Sequence, residues 1–316
     1  MAARRAWVLN LDADVELAAL GRVAAGTGGG GYTPSRTAIE AMRTFVPVLA
    51  ASLLGPEDML VDDSTAPHAA RGFDGRAFCP TPRALAILRR AGAEPAPHPR
   101  VDVLRRVNSR AFSASLGMTM PQAAFVRDLQ MACTMFGVAP EVGETWRVKR
   151  AFGMAGRGQR LVTPGRATEP DLAFVGAGLA EGGVQIEPNV AIANEYAIHG
   201  MLAEDGSFDL GTLVEQRCDA RGAWIATARL SAEAAATEAA RELASTLGEE
   251  ASRVAAALAK AGYFGPFGID AYTYRDRDGA VHLQPRSEIN ARYTMGYQVG
   301  LRPSLREPPR VPTCPA

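Results

Sequence analysis

Of the 34 Lys and Arg residues in this chain, only Lys149 and Lys260 are lysine. Lys149 stands in "RVKRAFGMAGRGQRL", just ahead of Gly153, Gly156 and Gly158. If "WRVKRAF" is a strand, Arg147, Lys149 and Ala151 share one face. Lysine offers a compact, mobile point charge where arginine imposes a planar fork. The glycines that follow make the loop pliable and let its backbone N–H groups approach an anion. The pattern suits a phosphate, although a surface lysine before an ordinary hairpin turn fits the same letters. Further on, "FGID" and "SEIN" carry Asp270, Glu288 and Asn290. Glu288 and Asn290 are two apart on a predicted strand and face the same way, and the "DRDG" turn folds Asp270 back beside them. Two carboxylates and an amide oxygen are hard ligands, the set Mg²⁺ takes when nucleotide phosphates complete its octahedron. A polar outer hairpin face is the alternative. Against it, the flanking "FGPFGID" is apolar, and embedded like charges need a cation. A third stretch, "VQIEPNVAIANEY", sets Glu187 and Glu195 around an apolar bend with Pro188. Backbone groups at such a bend can hold an adenine and a carboxylate can accept from ribose hydroxyls, though alone the stretch also reads as plain structure.

These residues need elements to position them. "AWVLNL" reads as a buried strand, "DVELAALGRVAAG" as a short helix, and "RTAIEAMRTFVPVLAASLL" as a helix until Pro47 disturbs it. "DMLVDD" (58–63) reads as a strand. "TPRALAILRRAG" reads as a helix capped by Thr81, with Pro82 at its first position and Gly92 near its end. Strand, helix, strand, helix predicts a small α/β domain up to about residue 100. "RRVNSRAFSASLG" is a helical linker. "WRVKRAF" and "GQRLVT" are two strands joined by the glycine loop. A run of hairpins follows from 183 to 226, with turns at "EDGS" and "DARG". One or two long helices then end at Gly262, before the "DRDG" hairpin.

Several signals mislead. Gly26–Gly31 matches GxGxxG, but a dinucleotide fingerprint must directly follow the first strand, and here a helix intervenes. Lys149 precedes its glycines, so the P-loop order is absent. His68, His98, His199 and His282 have no metal-ligand spacing and no GxSxG partner, which argues against zinc and a serine triad. Net charge is zero at pH 7, with 47% hydrophobic and 22% charged residues. Nothing in the bulk numbers suggests nucleic acid or an anionic membrane. No apolar stretch approaches the roughly 20 residues that span a bilayer. Asp12 and Asp14 interrupt the apolar run that imitates a signal peptide. Cys79, Cys133, Cys218 and Cys314 form no CxxC, which fits a reducing cytoplasm.

Taken in order, a linker "VNSRAFSASLG", the Lys-plus-glycine loop, the "IEP" bend with a later Glu, and "GIDAY…SEINAR" resemble the ATP-grasp superfamily of the carboxylate–amine ligase type. The resemblance covers roughly residues 100–300. It implies an α/β (α+β) chain: an N-terminal α/β domain at 1–104, then an ATP-grasp domain at 105–301 whose subdomains, about 118–187 and 188–301, clasp the nucleotide. A Pro-rich tail, 302–316, follows. The implied cofactors are ATP and two Mg²⁺, with Mn²⁺ as a substitute. By position, Lys149 would contact the α- and β-phosphates and the loop 153–158 would close over them. Glu187 to Val190 would line the adenine pocket, largely by main chain, and Glu195 would hold the ribose. Asp270, Glu288 and Asn290 would ligate the metals, and Arg292 would meet the transferred phosphoryl group or acyl phosphate. The family often has an earlier phosphate lysine, and Arg110 is its nearest equivalent here. The implied reaction joins a carboxylate to an amine through an acyl phosphate, releasing ADP and phosphate. The partners are then a small-molecule carboxylate and an amine, amino acids or a peptide among them, with a homodimer allowed. A non-catalytic nucleotide-binding module and a small-molecule kinase are the competing classes. The sequence offers no role for Arg286 or Pro285, and the Gly26–Gly31 loop is at most a specificity element.

Overall fold

The computed structural model describes residues 4–24, 32–153, 156–219 and 222–301, the side chains of 22–24 excepted. The Gly26–Gly31 loop and the tail from Arg302 therefore lie outside the described residues.

Three sheets follow one another along the chain. The first comprises β1 (Arg5–Val8), β2 (Met59–Leu60), β3 (Asp74–Ala77) and β4 (Glu94–Pro95), in the order β2-β1-β3-β4 and parallel throughout. Its central strand is apolar on both faces, as a covered parallel strand must be. Ala6 and Val8 pack with Ile87 and Leu88 of helix Pro82–Ala91. Trp7 and Leu9, on the other face, join a cluster with Leu247, Phe267 and Ile269 from the far end of the chain. The first and last parts of the molecule thus share one core.

The second sheet is antiparallel: β5 (Ala124–Val126), β6 (Thr145–Arg150), β7 (Gln159–Val162) and β8 (Val184–Asn189), in the order β5-β8-β6-β7. Trp146 and Val148 are buried with Val184 and Ile186 beside helices Leu129–Phe136 and Glu169–Ala180. Alternation then turns Arg147 and Lys149 to the opposite face.

The third sheet holds β9 (Ala191–Leu202), β10 (Phe208–Leu210), β11 (Val214–Cys218), β12 (Trp224–Arg229), β13 (Gly265–Arg275) and β14 (Val281–Asn290). Its order is β12-β11-β9-β13-β14, with β10 pairing β9. Helix Glu238–Lys260 covers it, burying Leu247, Ala251, Val254, Ala255 and Leu258, one stripe of the 3.6 period. Gly262, at φ 81°, turns the chain out of that helix.

Four expectations need correction. Helix Arg36–Leu53 runs straight through Pro47. Ser35 caps it, and Leu49 and Leu53 are buried beyond the proline, so burial outweighs one lost hydrogen bond. The strand expected at 58–63 is only Met59–Leu60, because the Asp62 carboxylate accepts the N–H groups of Ser64 and Thr65 and starts a turn. Thr81 occupies a cap position but does not cap. Its hydroxyl donates to Glu16, and Glu16 itself accepts the first-turn N–H of Arg83. Finally, β8 and β9 are consecutive but form no hairpin; they belong to different sheets, and the chain crosses between them at Val190.

Candidate active site

The crossing at Val190 opens a cleft between the second and third sheets. A cavity of about 1070 Å³ lies there, lined by Lys149, Glu187, Val190, Glu195, Asp270 and Glu288 among others. On β6, Lys149 and Arg147 face it. The Lys149 Nζ lies 2.6 Å from the Glu187 Oε1, and the other Glu187 oxygen accepts from the Gln185 amide at 2.5 Å. Arg147 donates to Gln159 on one side (2.7 Å) and Asn189 on the other (2.6 Å). The lysine expected to be mobile is therefore held. Glu187 is buried and Lys149 only slightly exposed, so two largely desolvated charges pair.

Glu195 Oε2 accepts the backbone N–H of Cys218 at 2.9 Å. Burial and the neighbouring Glu195 carboxylate push the Cys218 thiol well above its usual range, so it stays protonated in the cleft wall.

At the opposite end, Asp270 on β13 and Glu288 on β14 are direct cross-strand partners. The register shifts between Asp270 and Tyr272, leaving extra residues on β14 around Pro285. Proline is tolerated there because β14 is an edge strand and the ladder is locally broken. Asp270 accepts from Gln216 Nε2 (2.8 Å) and from Asn290 Nδ2 (2.9 Å), which leaves the Asn290 carbonyl oxygen for another partner. Burial and the charge of Glu288 push the Asp270 carboxyl up to about 6, against the pull of those two hydrogen bonds. Close carboxylates with one amide oxygen are a donor set that fits a hard divalent cation.

Arg110 reaches this end from the linker. Its Nη2 donates to Glu288 Oε1 at 2.7 Å and its Nη1 to the Arg150 carbonyl at 2.8 Å. Gly153 makes room for it: a Cβ there would sit 3.1 Å from Arg110 Nη1 and 3.0 Å from the Arg157 carbonyl. Gly156 and Gly158 have φ of 72° and 74°, left-handed values that favour glycine. Met154 and Ala155, between Gly153 and Gly156, lie outside the described residues. The "VNSR" spacing also gains a meaning, since Asn108 exchanges hydrogen bonds with the backbone of Ala291 while Arg110 meets Glu288. Arg286 gains one too. It is buried and donates to Glu250 (2.6 Å), to Ser113 and to the Gly117 carbonyl, clamping helix Arg110–Ser115 against β14.

A second, smaller cavity of about 200 Å³ opens from the same end. It shares Arg110, Gln159, Gln216, Gly222, Trp224, Asp270 and Glu288 with the large cleft, and adds Asn290 and Arg292. Arg292 Nη2 donates to Asp14 Oδ2 at 2.6 Å, and its guanidinium lies 5.4 Å from the Phe78 ring centre. Burial opposes the Arg292 charge, and Asp14 more than offsets it, so the guanidinium is held charged. The structure thus gathers every expected site residue along these two connected cavities except Gly158, which lies in the adjoining loop. Gln216 and Asp14 were missed. Gln216 sits in "VEQRCD", where no motif marks it. Asp14 had a usable signal: it follows a buried parallel strand, and such sheets bind ligands beyond the carboxyl ends of their strands.

No family model matches the chain, and no curated protein matches it in sequence. Solved structures do match. A biotin carboxylase–βγ-ATP complex from Campylobacter jejuni is 13% identical with a TM-score of 0.51, covering 94% of this chain and 71% of that one. Pyruvate carboxylase from Rhizobium etli is 18% identical with a TM-score of 0.51; the match covers 94% of this chain and 27% of that much longer one. At such identities the likeness speaks for the fold, and both proteins belong to one fold group. With a parallel N-terminal sheet and two further sheets enclosing a cleft, this chain has the ATP-grasp fold.

Proposed function

We propose that the protein is an ATP-dependent carboxylate–amine ligase that works through an acyl phosphate. One observation carries this reading: Asp270 and Glu288 stand where a nucleotide-sized cavity meets a small one. A phosphoryl donor in the first and an acceptor in the second would meet at those carboxylates. The nucleotide-binding neighbour of the same fold supports the choice of donor.

The large cleft holds ATP. Main-chain groups from Glu187 to Val190 receive the adenine and Glu195 the ribose. Lys149 faces the α- and β-phosphates, with Glu187 fixing its position. Asp270, Glu288 and Asn290 would hold two Mg²⁺, which supply positive charge to the phosphoryl group as it transfers. Arg110 and Arg292 add fixed cations on either side of the same point. A substrate carboxylate oxygen attacks the γ-phosphorus; the new O–P bond forms as the bond to the β-phosphate oxygen breaks, and ADP leaves. The amine then attacks the acyl carbon and gives up a proton to solvent, the acyl C–O bond breaks, and phosphate departs with the amide formed. The backbone at Gly153, Gly156 and Gly158, beside the phosphates, would help keep water from the acyl phosphate.

Assay the full chain with Mg-ATP, paired amino acids and hydroxylamine. The expected products are ADP and a hydroxamate. AMP and pyrophosphate would overturn the mechanism, and a stable phosphorylated product with no amide would indicate a kinase. Nucleotide binding without turnover of any pair would favour a non-catalytic module.

A further inference from the structure

We infer that the small cavity takes an α-amino acid with a bulky apolar side chain, and that Asp14 and Arg292 read its two charged ends. The inference rests on the ligase reading, since it names the carboxylate substrate of that site.

The cavity has two kinds of wall. One is apolar: Met42 and Phe45 from helix Arg36–Leu53, Phe78 after β3, Trp224 on β12, and Met295. Phe45 and Trp224 meet edge to face with centroids 6.2 Å apart, so the N-terminal part and the third sheet supply one aromatic corner together. The other wall is the Asp14–Arg292 pair. An anion alone would face the Asp14 carboxylate, and a cation alone would face Arg292. A zwitterion sets its ammonium against Asp14 and its carboxylate against Arg292, complementing both.

Size agrees. At about 200 Å³ the cavity is a fraction of the 1070 Å³ nucleotide cleft, so it suits a single amino acid. Position agrees as well. A carboxylate on Arg292 lies beside Asn290, Asp270 and Glu288, which line the same cavity. It is then the carboxylate that the γ-phosphoryl group would reach.

The test is calorimetric titration of the full chain with Mg²⁺ and a non-hydrolysable ATP analogue present. L-Phenylalanine is compared with 3-phenylpropanoate, phenethylamine and glycine, which lack the ammonium, the carboxylate and the side chain in turn. Phenylalanine should bind at least about tenfold more tightly than each, the effect of about 1.4 kcal/mol per missing contact. Asp14→Asn should weaken phenylalanine about tenfold or more and should not weaken 3-phenylpropanoate. If that variant does not fold, Trp224→Ala gives the second readout: phenylalanine weakens and glycine does not. Equal affinity for phenylalanine and 3-phenylpropanoate, or for phenylalanine and glycine, overturns the inference. Titrating the nucleotide analogue alone separates the two readings. Nucleotide binding without phenylalanine binding overturns the amino-acid assignment and leaves the ligase reading standing. Phenylalanine binding without nucleotide binding supports the cavity's assignment and sinks the ligase reading.

Discussion

At one end of the large cleft, Lys149 and Glu187 meet at 2.6 Å, and their charges cancel. At the other, Asp270 faces Glu288 across adjacent strands, with Arg110 bonded to Glu288 and Arg292, itself paired to Asp14, nearby. The first end is complete without a ligand. The second carries surplus negative charge, which adds to the larger effect of burial in pushing the Asp270 carboxyl up to about 6. Both ends are polar clusters on sheet faces, so polarity alone does not separate a positioning device from a binding device. The charge balance separates a cluster that is complete before any ligand arrives, as at Lys149–Glu187 and Asp14–Arg292, from one that awaits a cation, as at Asp270–Glu288.

Breaking the compensated end should have the largest effect. Lys149→Met strands a buried carboxylate and should cost about 3–5 kcal/mol in urea denaturation. Adding Glu187→Gln should recover most of that stability. Nucleotide affinity should stay low in both proteins, because the lysine is gone. A double variant that regains ATP binding would mean that Lys149 serves the fold only.

The uncompensated end should behave in reverse. Glu288→Gln should lower turnover about 10²- to 10³-fold, as loss of a transition-state electrostatic contact does. Its stability without metal should match or exceed wild type, since one of two like charges is removed. A thermal melt lowered by many degrees would show that Glu288 is a structural residue.

His199 sharpens the contrast as a buried group that avoids charge altogether. It is 1% exposed, and burial alone lowers its pKa to about 4 from 6.5. The unfolded chain therefore takes up the proton first. Stability from this group is complete above pH 6.5 and falls as pH drops toward 4, by about 3 kcal/mol at most. Denaturation midpoints at pH 7 and pH 5 should differ less in His199→Gln than in wild type. The smallest effect belongs to Gly153→Ala. The new Cβ would press on Arg110 and the Arg157 carbonyl, costing about 1 kcal/mol in urea denaturation and slowing turnover several-fold.

What the sequence made legible follows from what is local. Alternation along β6 put Arg147 and Lys149 on one face, and a single turn set Asp270 against Glu288; both are short-range consequences of strand geometry. The order of motifs was enough to suggest the fold. Long-range pairings were not legible. Asp14 and Arg292 are 278 residues apart, and Gln216 and Asp270 are 54 apart. Nothing near either residue announces its partner. The crossing at Val190 was hidden for a related reason: two adjacent strands look like a hairpin until their partners are known. Lys149 was misjudged as mobile because its restraint, Glu187, comes from β8.

The central claim is that a carboxylate held at the junction of the two cavities takes the γ-phosphoryl group. It is tested most directly by labelling the carboxylate of an amino acid that supports ADP release with ¹⁸O and recovering the inorganic phosphate. One labelled oxygen in each phosphate formed with the amide is the predicted result. Amide formed with phosphate free of label, the displaced ¹⁸O appearing instead in AMP or water, would contradict it.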